Sequence, residues 1–84
     1  MNASLPRGNY MNSVEARAAY LRLLMDRVRQ DRHPSATHMA MIEQALPPQL
    51  LPAYIELLLS KVAEDSNPSI SMLRRIAGLV EAAR

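Results

Sequence analysis

The stretch RLLMDRVRQDRHPSAT begins at Arg22 and ELLLSKVAEDSNPSIS begins at Glu56, so the chain states one pattern twice at an offset of 34 residues. Aligning 19–37 with 53–71 gives eight identities in nineteen positions: Ala19/Ala53, Tyr20/Tyr54, Leu23/Leu57, Leu24/Leu58, Val28/Val62, Asp31/Asp65, Pro34/Pro68 and Ser35/Ser69. Composition alone would give roughly one or two. The pairs Leu21/Ile55, Met25/Leu59, Arg27/Lys61, Gln30/Glu64 and Thr37/Ser71 are chemically similar. We read the pattern as an internal duplication.

Each copy has the signature of a helical hairpin. Leu21, Leu24, Met25 and Val28 recur at i, i+3, i+4 and i+7, and so do Ile55, Leu58, Leu59 and Val62. That spacing places four apolar side chains on one face of a helix. Pro34 and Pro68 then break the chain. Proline disfavours helix at the residue before it but fits the first turn of a new one. The serine that follows each proline is a candidate N-cap, with Asn67 an alternative in the second copy.

Helices are therefore expected over 13–31, with Ser13 as cap, 35–46, 50–64 and 69–83. Between the hairpins, LPPQLLP holds Pro47, Pro48 and Pro52, which exclude a continuous helix, although Pro52 suits the first turn of the third one. The expected fold is all-α: a small four-helix bundle of two tandem hairpins, about 13–46 and 50–83. A flexible arm is expected over residues 1–12, with Leu5 and Tyr10 able to dock it on the bundle. Met11 reads as an alternative start.

The period equals that of tetratricopeptide repeats, but the small and aromatic positions do not fall in register and the proline lies inside the hairpin turn. Two units would also leave a solenoid with unprotected ends. A closed bundle, with dimerisation an option, is the expectation.

The chain has 84 residues, with no Phe, Trp or Cys, so Leu, Ile, Val, Met and Ala must build its core without disulfides or thiolate metal sites. A cytoplasmic location is the default for such a chain, and no segment is apolar enough to cross a membrane. The net charge of +2 is too small to mark the whole chain as a polyanion binder.

Catalytic signatures are missing. Gly8 and Gly78 form no phosphate loop, and neither a nucleophile with its base nor a carboxylate pair is evident. His33 and His38 stand five apart, where two metal ligands on one helical face would stand three or four apart. His33 aligns with Asn67 and reads as a turn residue engaging nearby backbone. No enzyme, cofactor or metal is expected.

Leu57 beside Leu58 and Leu59, and Leu23 beside Leu24, widen the apolar stripes beyond what one neighbour covers, and six methionines suit adaptable surfaces. These features point to a protein-interaction or adaptor module, able to self-associate, whose expected contacts are Tyr54, Leu57, Arg75 and Leu79. Tyr20 and Tyr54 are expected to share equivalent positions at the stripe edges. The alternative is a helix-turn-helix-like nucleic-acid binder using Arg74 and Arg75 on the last helix, although the first copy carries Ala40 and Met41 in their place.

Overall fold

The computed structural model describes residues 11–84. The chain is all-α, with helices α1 (Ser13–Gln30), α2 (Ala36–Ala45), α3 (Leu51–Glu64) and α4 (Ile70–Ala82). The arm's expected docking residues, Leu5 and Tyr10, lie outside the described residues.

Local chemistry explains each boundary. α1 starts from Asn12, not from the expected Ser13. The Asn12 side chain accepts the Glu15 backbone N–H at 2.8 Å, and the Glu15 carboxylate accepts the Asn12 N–H at 3.0 Å. This reciprocal capping box satisfies two backbone donors that a helix start otherwise leaves open. α2 and α4 start identically: Ser35 Oγ accepts from the His38 N–H and Ser69 Oγ from the Met72 N–H, both at 3.0 Å. Ser69, rather than Asn67, is thus the second cap. Asn67 instead donates its backbone N–H to Asp65 Oδ1 at 3.0 Å, tightening the turn before Pro68.

Pro47 and Pro48 lead into one 3-10 turn, Pro48–Leu50, which runs directly into α3 with Pro52 in its first turn. α3 has no side-chain cap; the preceding turn and the proline stand in for it.

α1 packs on α2 and α3 packs on α4, and the two hairpins join through α1 and α3. A single core gathers Leu21, Leu24, Met25 and Val28 of α1, Met39 and Ile42 of α2, Tyr54, Leu57 and Leu58 of α3, and Ile76 of α4. The four expected positions of α1 are all buried. In α3 the buried face is turned: Ile55 and Leu58 are inside, Val62 is half-buried, and Leu59 is 48% exposed, while Tyr54 and Leu57 take its place. At about 100° per residue, the buried arc of α3 is roughly 160° wide against roughly 100° for α1. The difference follows from neighbours: α3 meets α1 and α4 and, through Tyr54, α2.

No helix among the described residues is long and apolar enough to cross a membrane.

Candidate interaction surface

Two of the four residues expected at a partner interface are turned into the core. Tyr54 is fully buried and Leu57 nearly so. The Tyr54 hydroxyl donates to Glu43 Oε2 at 2.7 Å and lies 3.3 Å from the Met39 carbonyl oxygen. Burial, reinforced by the hydrogen bond and negative charge of Glu43, pushes its pKa far above the ordinary tyrosine value, with Arg75 opposing weakly. The other Glu43 oxygen, Oε1, accepts from Arg75 Nη1 at 2.6 Å. One carboxylate therefore links α2, α3 and α4, and Arg75 is engaged inside the molecule. Leu79 is half-buried against the core. Arg74, its companion in the nucleic-acid reading, is exposed.

Tyr20 and Tyr54 also differ, contrary to their expected equivalence: Tyr20 is 40% exposed where Tyr54 is buried. No sequence signal separates them, because what distinguishes Tyr54 is Glu43, which the fold brings within reach of its hydroxyl.

The cleft between the two hairpin turns, about 300 Å³, is lined by polar groups including Arg32, His33, Lys61, Asp65 and Asn67. Several of these already have partners. Lys61 Nζ donates to the Arg29 carbonyl oxygen near the end of α1, and Asp65 holds the Asn67 N–H. His33 Nδ1 faces Asp65 Oδ2 at 3.7 Å, beyond hydrogen-bond range, so it reaches across to the second turn instead of bonding its own as the sequence suggested.

Val14, Met41 and Leu50 are exposed apolar side chains, and two further groups stand at helical spacing on α1 and α4. On α1, Tyr20 and Leu23 are three apart and outward-facing. On α4, Leu73, Ala77 and Val80 follow one face at i, i+4 and i+7, with Ile70 one turn earlier. The opposite edge of α4 buries Ile76, with Met72 and Leu79 packed against the core. At about 100° per residue the packed residues span roughly 60° of α4, and the exposed apolar residues widen its apolar arc to roughly 180°. Leu59 on α3 adds a further exposed side chain.

Comparison with models of known protein families, with curated proteins and with solved structures gives no match.

Proposed function

We propose that this chain is a non-enzymatic protein-interaction module that presents helical surface to a protein partner. The observation that carries the reading is the pair of exposed apolar faces, Tyr20 with Leu23 on α1 and Leu73, Ala77 and Val80 on α4. Apolar side chains grouped at helical spacing on a surface favour association, because covering them removes area from water. The expected contacts move accordingly: Tyr54 and Leu57 act inside the fold, and Leu23 and Leu73 replace them as the outward-facing leucines. The nucleic-acid alternative loses support, since Arg75 is occupied by Glu43.

The test is recovery of partner proteins from the native cell on immobilised wild type and on the double variant Leu23→Asp, Leu73→Asp. A partner held by wild type and lost by the variant is the expected result. Equal recovery by both, or no specific recovery by either, refutes a role for these faces.

A further inference from the structure

The 34-residue correspondence allows each side chain of one hairpin to be compared with its counterpart in the other. At one set of positions the burial agrees. Leu21/Ile55, Leu24/Leu58 and Ile42/Ile76 are buried in both hairpins, and Ala45/Leu79 is half-buried in both. These positions form the inside of a hairpin.

At a second set the burial is exchanged. The second hairpin buries Tyr54 and Leu57, whose counterparts Tyr20 and Leu23 are 40% and 69% exposed. The first hairpin buries Met25 and Met39, whose counterparts Leu59 and Leu73 are 48% and 45% exposed. Leu46 and Glu43 are half-buried, and their counterparts Val80 and Ala77 are exposed. The exchanged positions belong to the junction between hairpins: Tyr54 meets Met39 and Glu43 there, and Lys61 meets Arg29. The first hairpin supplies the receiving face of that junction and the second supplies the inserting face. Each hairpin leaves exposed the half that the other one uses.

We infer that a second copy of this chain covers these half-sites head to tail, with the Tyr20–Leu23 edge of one molecule seated on the Leu59, Leu73 and Val80 face of the next. The new contact repeats the junction already made within the chain. The residue types agree with that assignment. Tyr20 and Leu23 are identical to Tyr54 and Leu57, and Leu59 and Leu73 stand apolar where Met25 and Met39 do. Arg27 replaces Lys61, whose ammonium donates to the Arg29 carbonyl oxygen, so a cation also stands at the counterpart position, where it pairs with Asp31 at 3.5 Å in the single chain. Ala77 stands where Glu43 does, so the carboxylate partner of Tyr54 is not reproduced, and the junction between molecules is weaker than the one within.

A contact between two different surfaces leaves one of each unused on every dimer, so growth continues until a ring closes or a filament forms. The inference rests on the module reading above and names its partner.

The experiment is analytical ultracentrifugation of the full chain over a wide concentration range, with Leu23→Asp, Leu73→Asp and their equimolar mixture. Wild type is expected to pass beyond dimer mass as concentration rises. Each variant alone is expected to stay monomeric, because one half of every junction is spoiled. The mixture is expected to form a species of twice the monomer mass and no larger, since the intact edge of one variant meets the intact face of the other.

Wild type that stays monomeric throughout overturns the inference. So does a mixture that stays monomeric while wild type associates, because an intact edge and an intact face are then both present and do not join. Tyr20→Glu and Val80→Glu form a second complementary pair should either aspartate variant lose helicity. Monomeric wild type that still captures a foreign protein through Leu73 removes the self-partner and leaves the module reading intact.

Discussion

Arg75 and Glu43 lie 32 residues apart in sequence and meet at 2.6 Å, with their side chains 22% and 25% exposed. Because the same carboxylate accepts the Tyr54 hydroxyl, removing it takes the acceptor from Arg75 and leaves Tyr54 only the Met39 carbonyl oxygen at 3.3 Å. Glu43→Ala is expected to lower stability by about 2 kcal/mol, the range for leaving partly buried polar groups unpaired. Tyr54→Phe is expected to cost about 1 kcal/mol, since Glu43 keeps its arginine. Chemical denaturation of both single variants and the double variant would resolve the coupling, and additive losses would refute it.

The raised pKa of Tyr54 sets an alkaline limit on stability. In the unfolded chain tyrosine ionises near 10, whereas in the fold it keeps its proton well beyond that. The folded state then binds more protons than the unfolded state, so stability is complete below about pH 10 and falls above it by up to about 1.4 kcal/mol per pH unit. Tyr54→Phe is expected to flatten this dependence relative to wild type in denaturation series between pH 9 and 11. Parallel pH profiles for the two proteins would contradict the burial of the hydroxyl.

The exchanged burial predicts opposite sensitivities at aligned leucines. Leu57→Ala is expected to cost about 3 kcal/mol, as a large-to-small change in a core does. Leu23→Ala, at an exposed site, is expected to stay within about 0.5 kcal/mol in dilute monomer. Thermal or urea unfolding at low concentration checks the contrast.

His38 Nδ1 is buried without a hydrogen-bond partner among the described residues. The aligned residue in the second hairpin is Met72. Replacing an unsatisfied buried polar atom by an apolar group removes its desolvation cost, so His38→Met is expected to raise stability by about 1 kcal/mol. The Ser35 cap uses the backbone N–H and survives the change. A loss of stability would show that the imidazole has a partner in solution.

Gly78 sits inside α4, and a Cβ built there meets nothing within 4 Å. Gly78→Ala is expected to stabilise by about 0.5 to 1 kcal/mol by reducing the freedom of the unfolded chain. Unfolding midpoints measure it, and an unchanged or lowered midpoint would mean that α4 is frayed at this position.

Much of the local structure was legible in the residues. The prolines at 34, 47, 48, 52 and 68 marked every break between helices, and Ser35 and Ser69 marked two starts. These are short-range effects, set by backbone sterics and by one hydroxyl within three residues of its donor. The cap of α1 differs by one residue from the expected Ser13 because Asn12 and Ser13 are both good caps, and the Glu15 carboxylate, which forms the reciprocal bond with Asn12, decides between them.

The candidate surface was much less legible, because burial at the stripe edges depends on which neighbour arrives. Leu57 and Leu23 are the same residue in the same local pattern, and periodicity gives them one answer. Tertiary packing gives them two. Glu43 and Arg75 close around Tyr54 on one hairpin, while Tyr20 faces outward.

The amino-acid sequence sets four helices, their breaks, two of their caps and the buried face of α1, because helix sterics, capping and apolar spacing act within one or two turns of chain. Packing between the hairpins settles which remaining apolar residues are core and which are surface. That choice depends on how two similar hairpins are set against each other. A junction between unlike faces buries one half of each hairpin's outer apolar surface and leaves the other half uncovered.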